Sequence, residues 1–245
     1  MPKKKNKIVL PYGLSAPVWF GGRKATPFGD LAKGMSWQNF IEEAAERFPQ
    51  ITHTNAHVKA DLPDEAAREE YWKTIKKLGL MSTGLVNPEF GDPQMPNGPF
   101  VASSEKLAAF RELQLICTRE AAAKRDVGLC AGINIWWSTT GYRQPCQFDR
   151  QKIKERIAEF FVSVWEEAGN DGEGVITALE HKFGDPQPRA LFSNTWEAIA
   201  FARMVNERAG ENIMGLNPEL AHLLGAREDV AAMVMDMGDV RINYV

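Results

Sequence analysis

Short apolar runs alternate along the chain with longer segments whose apolar residues recur every three or four positions. The runs at 7–14, 50–57, 80–86, 128–137, 174–181, 212–217 and 240–245 read as strands. Between them, 36–47, 63–78, 103–124, 149–168, 194–209 and 228–237 carry helical spacing, and Ser36 is a good N-cap for the first of these. Gly79, Gly169, Gly210 and Gly238 follow the last periodic residue of four helices, where a left-handed residue is favoured.

Strand, helix, strand in repetition requires parallel pairing, because consecutive parallel strands need a crossover helix. A doubly wound sheet and a closed barrel both satisfy that pattern. No Gly-rich phosphate loop follows the first strand, which argues against a nucleotide-binding sheet. Polar residues instead gather just after several strands: His57, Asn87 to Glu89, Trp136 to Thr140, Glu180 to Lys182, and Glu219 to His222. In a barrel those positions share one face, where an active site is assembled from several strand ends. The expectation is an α/β fold, a TIM-type (β/α) barrel, occupying 1–245 as a single domain. Closure needs eight strands and about seven are counted, the last without its helix, so we expect a barrel truncated at its C-terminal side. The proline- and glycine-rich stretch 87–101 is expected to be a long loop over the same face.

Composition narrows the function classes. The 245 residues carry a net charge of −3, which argues against nucleic acid or an anionic membrane as partner, since either would need a basic face. The one basic run, Lys3 to Lys5 with Lys7, is expected to belong to a disordered tail over 1–6. No stretch reaches the ~18 apolar residues of a membrane span, and Pro11-Tyr12-Gly13 interrupts any signal sequence, so the cytoplasm is expected. Cys117, Cys130 and Cys146 lack metal spacing and read as reduced thiols. Trp37, Trp72, Trp165 and Trp196 fall in helical patterns and are expected to anchor the core, as is the Met233, Met235 and Met237 cluster.

The residues that could carry chemistry sit at the ends of the fifth and sixth runs. Alternate residues on a strand face one side, so Glu180 and Lys182 would point into the barrel mouth and His181 away from it. Glu219 and His222 follow the next strand. Two carboxylates and an imidazole at adjacent strand ends suit a divalent cation. Spacing alone leaves that open against two surface acids, a surface lysine and a capping histidine.

Leu179-Glu180-His181-Lys182-Phe183-Gly184-Asp185-Pro186 resembles the strand-5 glutamate-x-lysine segment of the xylose isomerases. Asn217-Pro218-Glu219-Leu220-Ala221-His222 is similar to that family's strand-6 Asn-Pro-Glu-x-x-His motif, its more specific mark, and the interval between the two agrees. Tyr12-Gly13-Leu14 with Trp19, Gly22, Arg23, Pro27, Phe28 and Gly29 resembles the opening strand and loop, and 135–143 loosely resembles the strand-4 tryptophan loop. The resemblance implies a metal-dependent isomerase that interconverts an aldose and a ketose by a hydride shift. Glu180 would ligate the substrate-side ion, Glu219 would bridge two ions, and His222 would ligate the second. Lys182 would bond the carbonyl end of the open-chain sugar, and His57, with His53 as competitor, would open the sugar ring. Trp19 and Trp136 or Trp137 would wall the pocket.

The implied cofactor is Mg²⁺ or Mn²⁺, with Co²⁺ as a further candidate, two ions in the complete protein. The implied partners are a monosaccharide and further copies of the chain. The pattern departs from the family in places. The acid that follows the ring-opening histidine falls near Ala60, with Asp61 one place off. Ser15 stands where the family has an aromatic residue, and the strand-7 and strand-8 acids would lie at or beyond Val245. The alternatives are a single-metal ketose 3-epimerase on the same barrel and a truncated barrel without turnover.

Overall fold

Helix starts follow the capping residues. Ser36, Asp64, Ser103 and Asn194 each accept a hydrogen bond from the backbone N–H three residues on, at 3.2, 2.8, 3.4 and 2.8 Å. Each such cap contributes about 1 kcal/mol by meeting a donor that the first turn leaves unpaired. They open α1 (Trp37–Arg47), α2 (Glu65–Lys77), α3 (Ser104–Arg125) and α5 (Thr195–Ala209); α4 (Arg150–Ala168) completes the longer set. The computed structural model describes residues 14–18, 36–58, 61–87, 103–130, 132–136, 150–169, 176–181 and 191–242. The basic tail, the 88–101 loop, Cys146, Trp19, Trp137 and Lys182 lie outside the described residues.

Among the described residues, six parallel strands alternate with those helices: β1 (Leu14–Val18), β2 (Ile51–His57), β3 (Met81–Asn87), β4 (Gly132–Trp136), β5 (Ile176–Glu180) and β6 (Met214–Leu216). Each pairs with the next in chain order. A doubly wound sheet must reverse its strand order at some point, and this one does not. The wall is that of a barrel. Beyond β6, Ile242 bridges Leu216 in parallel, and the Leu216 N–H donates to the Arg241 carbonyl at 2.8 Å.

Two strand bounds differ from expectation. Of the first strand, expected over 7–14, residues 7–13 lie outside the described residues, and the pairing continues from Leu14 to Val18 against 51–56. Pro17 sits within it, which is tolerable because no strand pairs with the other side of β1 among the described residues. The fourth begins at Gly132 rather than 128. The Gly128 and Leu129 N–H groups close α3 by donating to the Arg125 and Lys124 carbonyls, while the Leu129 carbonyl and Cys130 already meet Ser82 of β3.

The helix-facing strand residues Ala56, Leu85, Ile133, Ile135 and Leu179 are buried in one core cluster with Ile75, Leu115, Ile157 and Ile199. Trp72 joins that core, its indole donating to Glu120, which also pairs with Arg68 at 2.7 Å. Trp37 and Trp165 pack partly buried against it. Trp196 departs from expectation at 43% exposed. It stands in the first turn of α5, and its indole reaches outward to Asp236 at 2.7 Å. Met235 is likewise 82% exposed while Met233 and Met237 are buried, because only the latter two share a face at four-residue spacing.

Two short helices close the described chain. α7 (Val230–Met237) matches expectation with Asp229 as its cap, but α6 (Leu220–Gly225) was not foreseen. Six residues are too few to show a period, and Glu219 at its N-cap makes no side-chain cap bond. It ends with Arg227 at φ +58°, while the Glu228 N–H bonds the Leu223 carbonyl and the Arg227 N–H that of Leu224. That is the six-to-one, five-to-two pairing by which a left-handed residue terminates a helix. No described helix is long and apolar enough to cross a membrane.

Two outcomes follow from this packing. A Cβ on Gly84 would lie 3.1 Å from the Asn134 nitrogen and 3.2 Å from the Gly132 carbonyl oxygen, so Gly84→Ala should destabilise by about 1–3 kcal/mol. An unchanged urea midpoint would refute that close approach. Cys117 and Cys130 are buried free thiols, and burial pushes Cys117 well above the ordinary thiol range and Cys130 up to about 12. Neither should react with a thiol reagent at pH 8 in the native protein, as peptide mass mapping would check.

Candidate metal centre

In a parallel wall all C-terminal strand tips lie along one edge. Glu180 is the last residue of β5 and pairs with Trp136, the last of β4. The next tip belongs to β6, where the Asn217 N–H continues the ladder by donating to the Leu179 carbonyl at 3.0 Å. Two amides then converge on one carboxylate oxygen. Asn134 Nδ2 donates to Glu180 Oε2 at 3.1 Å, and Asn217 Nδ2 donates to the same atom at 3.0 Å. Their agreement fixes the carboxylate plane and turns Oε1 outward.

That oxygen meets His222 Nε2 at 3.4 Å, and Glu219 Oε2 meets the same nitrogen at 3.1 Å. Glu219 and His222 come together because a single turn separates them, with the His222 N–H bonded to the Glu219 carbonyl at 2.9 Å. Glu180 and His222 are largely buried, while the Glu219 side chain is 48% exposed. The three ligand atoms all lie within 4.8 Å of one another.

This donor set fits a divalent cation. Two oxygens at about 2.1 Å from an octahedral ion stand about 3 Å apart when adjacent and about 4.2 Å apart when opposite. The Glu180 and Glu219 oxygens stand 3.4 and 3.1 Å from His222 Nε2, the spacing of adjacent ligands, and lie within 4.8 Å of each other. Two carboxylates and one imidazole make an oxygen-rich donor set, unlike the sulfur-rich sets that suit softer ions. The amides of Asn134 and Asn217 are the outer partners that orient a ligating carboxylate.

The other candidate residues divide. Among the described residues, His57 ends β2 on the same edge of the wall, three strands from Glu180. Its Nδ1 lies 3.2 Å from Asp61 Oδ2, and its backbone N–H donates to the same oxygen at 2.9 Å. Asp61, one place off the family's spacing, still reaches the histidine because the turn after β2 brings its N–H back to the His57 carbonyl. His53 instead contacts Thr52 Oγ1 at 2.7 Å, and partial burial lowers its pKa. Trp136 has its backbone beside Glu180, Trp19, Trp137 and Lys182 being among the residues outside the description.

His181 faces the helices rather than the strand-tip cluster, with Nε2 3.0 Å from Thr195 Oγ1 in α5. Burial pushes its imidazole below the ordinary value, and the Glu228 carboxylate opposes that push. Asn134 was not foreseen as part of the centre. Its signal was available: a lone amide in the apolar run Gly132-Ile133-Asn134-Ile135-Trp136, on the face opposite the two isoleucines.

No family model and no curated protein matches the chain. Solved structures do resemble it. The 3-keto-D-glucoside 4-epimerase YcjR from E. coli is 14% identical with a TM-score of 0.58, over 85% of this chain and 71% of that one. The probable 3-DHS dehydratase AsbF from Bacillus anthracis is 12% identical with a TM-score of 0.58, over 95% and 72%. A sugar phosphate isomerase/epimerase from Parabacteroides distasonis ATCC 8503 is 9% identical with a TM-score of 0.53, over 92% and 71%. At such identities the likeness carries the fold alone: this chain shares with these structures an α/β fold of parallel strands alternating with helices, as in a TIM-type barrel.

Proposed function

We propose that the protein is a metal-dependent sugar isomerase that interconverts an aldose and a ketose. The observation that supports this most is the convergence of Glu180, Glu219 and His222 at two neighbouring strand tips. When bound, a Mg²⁺ or Mn²⁺ ion supplies Lewis-acid polarisation of neighbouring sugar oxygens, the chemistry an aldose–ketose hydride shift uses. Glu180 offers the ion one oxygen while Asn134 and Asn217 hold the other. Glu219 and His222 would be the ion's further ligands among the described residues, and the resemblance assigns Glu219 a second ion as well.

His57 is the residue we assign to ring opening. Asp61 lies at its Nδ1 side and would orient the ring for proton exchange with a sugar hydroxyl through Nε2. Lys182, two residues after Glu180, is assigned to the carbonyl end of the open chain, and Trp19, Trp136 and Trp137 to the apolar wall that excludes water. An epimerase would draw on the same ligands but move a proton beside a carbonyl. The i, i+3 pairing of Glu219 with His222, and a lysine two after Glu180, favour the isomerase.

An assay of the protein with Mn²⁺ or Mg²⁺ and a panel of aldoses and ketoses, against a chelator control, tests the reading. Metal-dependent exchange between aldose and ketose is the expected result. Inversion at C3 of ketoses would replace it with the epimerase, and no turnover with bound metal would leave a non-catalytic barrel. His222→Ala should weaken Mn²⁺ binding by at least ~10-fold, more than the loss of an outer partner alone would require.

Asp61→Asn should lower kcat/KM by about 10²-fold on ring-forming aldoses, the usual scale of acid–base assistance. Glyceraldehyde, which cannot close into a ring, should lose far less. Equal losses on both substrates would remove ring opening from the His57 role.

A further inference from the structure

Glu228, in the turn between α6 and α7, buries its carboxylate away from the strand-tip cluster, the side chain being 5% exposed. Its Oε1 accepts from the Thr195 N–H at 2.8 Å, and its Oε2 accepts a short bond from the Thr195 hydroxyl. That hydroxyl has one proton, and the short bond uses it. The threonine oxygen therefore accepts on its other side, and His181 donates to it from Nε2 at 3.0 Å. His181 Nε2 also lies 3.6 Å from Glu228 Oε2. The chain of donors runs one way, from imidazole to hydroxyl to carboxylate.

Both ends of this chain adjoin the candidate centre. His181 directly follows Glu180 at the tip of β5. Glu228 itself ends α6, its N–H donating to the carbonyl of Leu223 at 3.0 Å, and Leu223 directly follows His222. The left-handed Arg227 makes that closure possible and aims the Glu228 side chain back at α5. A single residue thus ties the strand tip that bears Glu180 to the short helix that bears His222.

We propose that Glu228 is a positioning residue, which holds Glu180 and His222 at a separation suited to one divalent ion. The proposal rests on the metal-site reading above. A merely structural Glu228 would act only as a cap for the first turn of α5, where the Thr195 N–H is one of the unpaired donors. Asn194 caps the same turn by accepting from the Glu197 N–H, so Asn194→Ala reports what loss of a cap does alone.

The test uses the full chain as wild type, Glu228→Ala, Glu228→Gln and Asn194→Ala. Free Mn²⁺ is read by electron paramagnetic resonance during titration, thermal melts are taken in chelator, and amide hydrogen exchange is followed without metal. Glu228→Ala should weaken Mn²⁺ binding by about 10–100-fold, the usual cost of losing an outer partner, and speed exchange at His181, His222 and Leu223. Asn194→Ala should lower the melting temperature yet bind Mn²⁺ within about threefold of wild type, since no ligand contact changes. Glu228→Gln keeps an acceptor for the Thr195 N–H and can reverse the donor chain, so it should recover most of the affinity.

Wild-type affinity in Glu228→Ala, or an equal loss in Asn194→Ala, overturns the proposal. Should Glu228→Ala not fold, Glu228→Asp, one methylene too short to reach Thr195, takes its place with the same expectation. Wild type that takes up no Mn²⁺ sinks the metal reading instead. Hydrogen exchange then decides the tie, and unchanged protection at those three amides overturns it.

Discussion

The central residues of β5, Thr177 to Leu179, are flanked by a parallel neighbour on each side, β4 at one flank and β6 at the other, and the register of those two ladders determines which side chains meet. Parallel pairing sends all three strands to finish at one edge, and alternation then sorts their residues. Asn134 and Glu180 fall on the face away from the helices, Ile133, Ile135 and Leu179 on the face toward them. A slip of one residue in β5 would bury Glu180 among helix side chains and lift His181 toward the strand-tip cluster. The apolar face makes that slip costly, so the core protects the position of the polar groups.

The charge balance at the strand tips has a physical logic of its own. Glu180 is held by two neutral amides, which orient it without cancelling its charge. A lysine or arginine in their place would satisfy the carboxylate and leave nothing for an ion to neutralise. Glu219 adds a second carboxylate beside it in a partly buried place, where gathering negative charge is costly. A divalent cation would offset that cost more fully than the His222 imidazole can alone.

Much of this was legible in the residues, for identifiable reasons. Long helices with a capping serine, aspartate or asparagine declare their own starts, and strict strand–helix alternation declares parallel pairing. The Asn217-Pro218-Glu219-x-x-His222 spacing was readable because one turn of helix after a strand is a local geometry. Features that depend on tertiary partners were not readable. Trp196 looks like a core anchor by period alone, and only the placement of α7 shows its indole turned outward to Asp236. Asp61 sits off the expected spacing, and only the turn after β2 shows that it still reaches His57. α6 was missed because six residues cannot display a period, and the left-handed Arg227 that ends it carries no glycine to signal the turn.

The bridge between Leu216 and Ile242 has a consequence for how the ligand shell forms. With its N–H bonded to Arg241, β6 is secured on its outer flank as well as against β5, so the backbone leading into Asn217 has little freedom left. The amide that steers Glu180 is therefore in place as soon as the chain has folded. An arriving cation would meet oxygens already aimed at it, and little conformational entropy would remain to be lost on association.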